Sequence, residues 1–413
     1  MGMNETPSAN RIHIGLFGRR NAGKSSLINA MTGQDLAIVS NIKGTTTDPV
    51  QKAMELLPLG PVVLIDTPGL DDTGELGAAR VRKAYQTMHK TDLAILVIDG
   101  AQHPDETTLR ETEQPLLAAL KAQKIPCVIA VNKSELLTEE EKQKIASYFQ
   151  KPAEVLFVSA KLGRQIKELK EHAAHLIRGE GSGRKIIGDF LNPGDIAVLV
   201  IPIDASAPKG RLILPQQQVI RDCLEAGAIA VAAREHELQE TLRQLAKPPK
   251  IVITDSQAFE RAAKDTPGDV YLTSFSILFS RYKGNLIQQA AGAKAIRTLK
   301  EGDVVLISEG CTHHRQCEDI GTVKLPRWLL EYTGKNFRFA YTSGNEFPQD
   351  LSEYALVIHC GGCTLNEREM QYRLSCAKKQ GVPMTNYGTA IAEMHGILDR
   401  SLALFYEDPQ EGL

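Results

Sequence analysis

A glycine-rich segment near the start of the 413-residue chain carries the clearest chemistry. It reads Gly-Arg-Arg-Asn-Ala-Gly-Lys-Ser, between an apolar run and a segment that predicts a helix. Glycines in such a loop let backbone N–H groups face phosphates, and the following helix adds the positive end of its dipole. Lys24 is expected to reach the β- and γ-phosphates, and Ser25 to bind Mg²⁺. The predicted phosphate-binding residues are Gly18, Asn21, Ala22, Gly23, Lys24, Ser25 and Ser26.

A second motif, Asp-Thr-Pro-Gly at 66–69, ends another apolar run. Asp66 is expected to hold Mg²⁺ through water, and the amide of Gly69 to sense the γ-phosphate. The first switch segment is expected at 44–48, where Thr46 is our choice for the threonine that closes over Mg²⁺. The predicted catalytic residues are therefore Lys24, Thr46, Asp66 and Gly69.

Two later segments bear on which base is bound. Asn-Lys-Ser-Glu at 132–135 resembles the N-K-x-D motif that reads guanine, and Ser-Ala-Lys at 159–161 resembles the S-A-K motif that supports guanine O6. Glu135 keeps the acceptor pair of the usual aspartate but is one methylene longer, so we expect weaker guanine affinity. GTP and GDP are the predicted ligands. The predicted guanine-binding residues are Asn132, Lys133, Glu135, Ser159, Ala160 and Lys161.

Leu70 follows the second motif, where Ras-like GTPases carry a glutamine that orients the attacking water. An apolar side chain cannot orient that water. The G-x-x-N-A-G-K-S and G-T-T segments resemble those of the tRNA-modifying GTPase and Era. This resemblance implies that Asn21 helps to bind K⁺ where an arginine finger would otherwise neutralise charge. We therefore expect K⁺-stimulated hydrolysis.

Five of the seven cysteines lie between 311 and 376. Cys311-Thr-His313 and His359-Cys360-Gly-Gly-Cys363 each follow an apolar run that predicts a strand. The two small residues between Cys360 and Cys363 let both thiolates face one centre. Three thiolates can hold three irons of a 4Fe-4S cluster and leave one iron to another ligand. The spacing fits zinc equally well, and a dithiol redox pair remains a further alternative.

The elements that must position these residues follow from hydrophobic patterning. Between 11 and 178, short aliphatic runs alternate with amphipathic segments, which predicts a doubly wound α/β fold of the Ras-like P-loop type. A Gly/Ser-rich linker is expected at 179–184. We expect a P-loop GTPase domain at 1–180, a small α/β domain at 181–265 and a C-terminal α/β domain at 266–413 that carries the cysteines.

The charge of the chain excludes some functions. Lys and Arg number 48 against 50 Asp and Glu, so no basic surface for nucleic acid is expected. No run of about 18 apolar residues predicts a membrane span. The polar N-terminal segment lacks the apolar core of a signal peptide, so a cytoplasmic location is expected. An odd cysteine count argues against a disulfide framework.

Taken together, the P-loop, the C-x-H motif and the H-C-x-x-C motif resemble the maturation GTPases of iron–iron (FeFe) hydrogenases, the HydF family, over essentially the whole chain. The resemblance implies that Cys311, Cys360 and Cys363 ligate a 4Fe-4S cluster. It implies a labile fourth position, the docking point for a di-iron precursor, with His313, His359 and Glu318 as candidate ligands.

The same resemblance implies a dimerisation role for the middle domain, and hence a homodimer. It implies a carrier that receives the di-iron precursor as cargo from radical-SAM maturases and delivers it to the FeFe-hydrogenase apoenzyme. Two alternatives stand beside it. One is an RNA- or ribosome-associated GTPase with a C-terminal zinc site, and the other is a redox protein that uses Cys360 and Cys363 as a dithiol.

Overall fold

The computed structural model describes residues 6–33, 50–71, 74–149, 155–178, 184–203, 212–311, 319–344 and 346–407. The chain divides into two compact units, Met1–Ser182 and Gly183–Leu413. The expected linker at 179–184 lies almost wholly outside the described residues. Among the residues described, no helix combines the length and the apolar character that crossing a membrane requires.

The first unit is an α/β domain with one sheet. Its elements are β1 (Ile12–Phe17), α1 (Lys24–Thr32), β2 (Val50–Leu56), β3 (Gly60–Asp66), α2 (Gly74–Met88), β4 (Leu93–Asp99), α3 (Glu106–Ala122), β5 (Cys127–Asn132), α4 (Glu139–Ser147), β6 (Val155–Phe157) and α5 (Ile166–Arg178). The strand order is β2-β3-β1-β4-β5-β6. Only β2 runs antiparallel to its neighbour. The short aliphatic runs predicted between 11 and 178 form the parallel strands β1, β3, β4, β5 and β6.

Each face of this sheet is covered by helices. Apolar residues of α1 and α5 pack with β1, β3 and β5 on one face. Residues of α2, α3 and α4 pack on the other. Because the parallel strands are buried on both faces, they consist of almost continuous aliphatic residues. Their carboxyl ends therefore lie together at one edge, which is where ligands bind in such folds.

The second unit contains two sheets. Its elements are β7 (Ile196–Val200), α6 (Leu214–Glu225), β8 (Ile229–Ala233), α7 (Leu238–Gln244), β9 (Ile251–Thr254), α8 (Phe259–Asp265), β10 (Tyr271–Ser274), α9 (Phe275–Lys283), α10 (Leu286–Lys294), β11 (Val304–Glu309), α11 (Leu325–Thr333), β12 (Arg338–Ser343), β13 (Leu356–His359), α12 (Glu367–Lys379), β14 (Met384–Asn386), α13 (Tyr387–Met394) and α14 (Leu398–Leu402). A π-helical turn at Ile320–Lys324 precedes α11.

The sheets have the strand orders β10-β9-β7-β8 and β12-β11-β13-β14, with every pair parallel. The predicted boundary at 265 falls before β10, which completes the first of these sheets, so the middle sheet continues beyond that boundary. One hydrophobic core contains residues of both sheets and of the helices between them. The two predicted domains are therefore packed as a single compact unit.

Side-chain caps fix where the helices around the cysteine region begin. Ser274 accepts a hydrogen bond from the amide of Ile277 at the start of α9. Asn366 does the same for the amide of Glu369 at the start of α12. Such caps satisfy amides that have no partner within the helix and contribute about 0.5–2 kcal/mol each. They hold α9 and α12 in register beside the loops that follow β11 and β13.

Candidate functional site

The P-loop connects β1 to α1 through backbone that only glycine adopts easily. Gly18 has φ +146°, and a Cβ there would lie 2.2 Å from the carbonyl oxygen of Val97. Gly23 has φ +89°, and its Cβ would lie 2.3 Å from Nδ2 of Asn132. Neither clash can be relieved cheaply at such distances. The two glycines therefore let the loop pack against β4 and against the end of β5.

Lys24 and Ser25 begin α1 inside this loop. The ammonium of Lys24 donates to the carbonyl oxygens of Gly18 (3.0 Å) and Arg19 (2.8 Å), within the loop itself. Oγ of Ser25 lies 2.5 Å from Oδ2 of Asp66 at the end of β3. Burial raises the pKa of Asp66, although the Ser25 hydrogen bond and the charge of Lys24 oppose the rise. The structure thus brings the predicted lysine, serine and aspartate together. Thr46 lies outside the described residues.

Asn132 links the P-loop to the loop after β6. Its Nδ2 donates to the carbonyl oxygen of Ala22 (3.1 Å), and its Oδ1 accepts from the amide of Ala160 (3.0 Å). Lys133 donates to the carbonyl oxygen of Asn21 (3.2 Å). The P-loop, the end of β5 and the loop after β6 are therefore held by direct hydrogen bonds. In that last loop, Oγ of the buried Ser159 accepts from the amide of Leu162 (3.1 Å), while Lys161 is exposed.

The carboxylate of Glu135 is not fully satisfied by hydrogen bonds in the described residues. Its Oε2 is buried, yet it has no hydrogen-bond partner among the described residues. A buried acceptor without a donor costs free energy, so such an atom is expected to face a ligand donor. This is the position where the sequence predicts the acid that accepts from guanine.

Sequence reasoning missed three acidic residues in this region. Asp99 ends β4 and forms an ion pair with Lys133 (2.7 Å). Glu113 of α3 is buried in the domain. Its carboxylate accepts hydrogen bonds from Nε (2.9 Å) and from a terminal nitrogen (3.1 Å) of Arg19. Asp71 accepts from the amide of Arg20 (2.6 Å). The strand-end position of Asp99 was a usable signal, whereas nothing in the helix sequence marks Glu113 as buried.

The cysteines lie at the carboxyl ends of neighbouring strands β11 and β13. The amide of Gly310, directly before Cys311, donates to Sγ of Cys360 (3.0 Å), and the amide of Gly362 approaches the same sulfur at 3.4 Å. Oγ1 of Thr364 donates to the carbonyl oxygen of Gly310 (2.8 Å). Burial raises the pKa of the Cys360 thiol to about 11 and also raises that of Cys363.

Gly362 gives the turn its shape. Its φ is +63°, a left-handed conformation that favours glycine. This conformation lets the chain reverse between Cys360 and Cys363. The backbone at Gly362 thus suits a glycine, and the expectation that both thiolates face one centre stays a prediction. Within the described residues, no three His, Cys, Asp or Glu side chains are grouped as a metal site. His313 and Glu318 lie outside those residues.

His359 has a different place from the ligand position that the sequence suggested. It is completely buried, its Nδ1 lies 2.7 Å from the carbonyl oxygen of Cys360, and its Nε2 lies 2.9 Å from a guanidinium nitrogen of Arg373. The carbonyl can only accept and the guanidinium can only donate, so Nδ1 carries the proton. Burial, reinforced by the charge of Arg373, lowers the pKa of His359 to about 3. In this arrangement both ring nitrogens are engaged, and neither can ligate a metal.

Two buried cations near the turn were missed from the sequence. Arg373 of α12 is fully buried; it pairs with Glu369 (3.0 Å) and donates to the carbonyl oxygen of Gly344 (2.7 Å). Lys283, the last residue of α9, donates to the carbonyl oxygens of Cys363 (3.3 Å) and Leu365 (2.8 Å). Burial lowers the pKa of Lys283 to about 8.

The fold and the loop geometry of the first unit define a P-loop GTPase domain, and a model described as a 50S ribosome-binding GTPase matches its residues 13–133. The second unit matches two models of another kind. The hydrogen maturase F dimerization domain covers residues 186–284, and the hydrogen maturase F tetramerization domain covers residues 287–404. Together these two models span more than half of the chain. The chain therefore belongs to the hydrogen maturase F family, as its motifs predicted.

Individual relatives resemble only part of the chain. The tRNA modification GTPase MnmE of Heliobacterium modesticaldum is 33% identical over 40% of this chain and 34% of its own length. GTPase Der of Thermosynechococcus vestitus is 31% identical over 40% of this chain and 38% of its own. The chain thus spans about a third of the length of these curated relatives. Among solved structures, Aquifex aeolicus Era bound to GDP·AlF4⁻ covers 61% of this chain and 97% of its own, at 16% identity and a TM-score of 0.35. The family assignment rests on the domain models, not on that likeness.

Proposed function

We propose that this chain is a GTP-hydrolysing iron–sulfur scaffold that accepts a di-iron precursor and delivers it to an FeFe-hydrogenase apoenzyme. The observation that carries the proposal is the hydrogen bond from the Gly310 amide to Sγ of Cys360. It ties the residue before Cys311 to the second cysteine motif across two neighbouring strands. This contact supports our proposal that Cys311 and the H-C-x-x-C motif contribute to one site.

The residues present fit a 4Fe-4S cluster. Two backbone amides point at Sγ of Cys360, and such donors stabilise a thiolate sulfur bound to iron. The buried lysine beside Cys363 supplies positive charge for an anionic group. Cys311, Cys360 and Cys363 would hold the cluster, which would supply an iron with an open position. Because both ring nitrogens of His359 are engaged, we assign it a supporting role. His313 and Glu318 remain our candidates for the fourth ligand.

For nucleotide chemistry we propose that Lys24 and Thr46 act with Asp66 and the Gly69 amide on a Mg²⁺–GTP complex, with Ser25 and Thr46 as Mg²⁺ ligands. The hydrogen bond between Ser25 and Asp66 supports this pairing, because a metal ion would stand between them. The unpartnered Oε2 of Glu135 supports guanine as the base. Leu70, at the position where Ras-like GTPases carry a glutamine, packs against the apolar core of the domain.

We further propose that K⁺ stimulates the hydrolysis through Asn21. Asn21 has φ +61°, and Lys133 donates to its carbonyl oxygen, so the backbone of the loop is held at this residue. The test compares turnover in KCl and NaCl at equal ionic strength for the wild-type chain and for Asn21→Ala. A higher rate in KCl that is lost in the variant is expected. Equal rates in the two salts would eliminate this part of the proposal.

The proposed partners are the radical-SAM maturases that build the precursor and the FeFe-hydrogenase apoenzyme that receives it. The family models support assembly of several copies, since they describe both a dimerization and a tetramerization domain. We propose the homodimer as the minimal assembly and the cytoplasm as its location. An assay of hydrogenase activation tests delivery: a cluster-loaded Lys24→Ala chain should retain its cluster and fail to activate the apoenzyme. Full activation by that variant would show that GTP hydrolysis is dispensable.

Metal analysis after anaerobic purification tests the scaffold itself. About four irons and four sulfides per chain are expected, because a 4Fe-4S cluster fits three thiolates. Cys360→Ala and Cys363→Ala should lose them. Cys376→Ala is the matched control, because Cys376 lies in α12 away from the turn. Zinc without iron would reject the proposal in favour of a structural zinc site, and a metal-free chain would leave a dithiol role.

A further inference from the structure

Lys283 is a buried cation that forms no ion pair in the described residues, although the charge of Glu367, which pairs with Arg184, also acts on it. The residue is 3% exposed at the end of α9. Its Nζ donates to two backbone carbonyls, those of Cys363 and Leu365, and lies 5.5 Å from the centre of the Phe279 ring. Within the described part of the chain it forms no ion pair with a carboxylate. Burying an ammonium without an anion costs free energy, so we expect a negatively charged group close to Lys283.

The group placed to supply that charge is the ligand set at Cys363, whose thiolate would be bound to iron. Lys283 donates to the carbonyl oxygen of Cys363 itself (3.3 Å), so its ammonium lies beside that residue. A lysine at the C-terminal end of a helix normally extends into water and interacts with the helix dipole. Lys283 instead turns inward, below the loop that joins β13 to α12. Its two hydrogen bonds fix the backbone on both sides of Thr364.

We propose that Lys283 is the resident counter-charge of the group bound at the Cys360–Cys363 turn, retaining that group and raising its reduction potential. The inference rests on the proposed function, since it takes the bound group to be a thiolate-ligated iron–sulfur cluster. Such a cluster is anionic, and each reduction adds a further negative charge. A fixed positive charge nearby stabilises the reduced state more than the oxidised one, so its removal lowers the potential. Lys283 is thus a positioning and electrostatic residue, not a ligand.

Three substitutions separate the charge of Lys283 from its hydrogen bonds. Lys283→Arg keeps both, Lys283→Gln keeps N–H donors without charge, and Lys283→Met removes both. Lys294→Gln is the control, because Lys294 is half exposed and pairs with Asp399 at the surface. Each full-length chain is purified anaerobically. Iron and sulfide are measured per chain, and the potential is obtained from a reductive titration followed by electron paramagnetic resonance.

If the charge matters, Lys283→Arg and Lys294→Gln keep the wild-type potential and iron content. Lys283→Gln and Lys283→Met either lose iron or become harder to reduce by about tenfold or more, which for a one-electron couple is about 59 mV. A wild-type potential and iron content in Lys283→Gln would overturn the inference alone. Equal loss of iron in the Arg and Gln variants would also overturn it, because the charge would then not be what retains the cluster. A wild-type chain that binds no iron would overturn the proposed function, and this inference with it.

Discussion

Replacing Arg373 by methionine is expected to destabilise the second unit strongly. The guanidinium is fully buried and contacts four groups: Glu369 at 3.0 Å, His359 at 2.9 Å, the Gly344 carbonyl at 2.7 Å and Oγ of Ser308 at 3.5 Å. Methionine fills a similar volume but donates no hydrogen bond. The substitution therefore leaves a carboxylate, an imidazole nitrogen and a carbonyl buried without a donor.

The magnitude follows from the pair with Glu369. Removing one partner of a buried ion pair costs about 3–5 kcal/mol, because the remaining charge stays uncompensated. For a unit of this size, each kcal/mol lowers Tm by about 2–4 °C, so a fall of about 6–20 °C is expected. Replacing both partners, as in Arg373→Met with Glu369→Leu, removes the stranded charge. The loss should then shrink to about 1–3 kcal/mol, which is the cost of the neutral groups left unpaired.

The chain offers a direct assay in its single tryptophan, Trp328, which lies in α11 of the second unit. Its fluorescence reports the unfolding of that unit in the full-length, metal-free protein. Urea unfolding at neutral pH gives the free energy of unfolding for each variant. Arg221→Met is the control, since Arg221 pairs with Glu225 four residues away on an exposed helix face. Such surface pairs contribute about 0–1 kcal/mol, so little change is expected.

Two results would refute this reasoning. A loss below about 1 kcal/mol in Arg373→Met would mean that the buried charge of Glu369 is relieved by solvent or by protonation. A double variant as unstable as the single one would mean that the cost arises from packing. Either would also weaken the supporting role assigned to His359, because Arg373 fixes that ring.

Three further outcomes concern the GTPase domain. Glu135→Gln should weaken GDP binding by about 10- to 150-fold, because a charged hydrogen bond contributes about 1.5–3 kcal/mol; unchanged affinity in a calorimetric titration would remove Glu135 from the guanine site. Glu113→Ala should lower the free energy of unfolding of this domain by about 1–3 kcal/mol by stranding Arg19, visible in far-UV circular dichroism while the tryptophan-reported transition stays in place. Gly23→Ala should abolish nucleotide binding, because its Cβ would collide with Asn132; binding of fluorescent GDP at wild-type affinity would contradict the loop geometry.

Most parallel strands were predictable because each is a short aliphatic run followed by polar residues. Strands without such a run were missed. β2 is a mostly exposed antiparallel edge strand of mixed polar and apolar residues, and β14 has three residues only. In both, the hydrophobic signal is too weak to mark a strand. The boundary predicted at 265 precedes the last strand of the middle sheet for a related reason: β10 has four residues and runs straight into α9.

The burial of the two cations could not be predicted, because most of the groups that they contact are distant in sequence. Arg373 lies in a polar helix, so its sequence context indicates a surface residue. In the fold its guanidinium instead contacts His359 and the carbonyl of Gly344. Lys283 ends a helix, where a lysine is ordinary, and its partners lie 80 and 82 residues further on. The motif around Cys360 likewise marks His359 as close to the site. It does not distinguish a ligand from a residue that holds the ligand's backbone.

These contacts bear on why two family domains form one compact unit. The turn at Cys360–Cys363 is held from β11 by the Gly310 amide, from α12 through Arg373 and His359, and from α9 by Lys283. Lys283 belongs to the segment matched by the dimerization model, whereas the cysteines belong to the segment matched by the tetramerization model. The geometry and charge of the cysteine turn thus depend on both segments. A change in how α9 packs would reach the cysteine turn through Lys283, so the segment matched by the dimerization model contributes to the candidate metal centre.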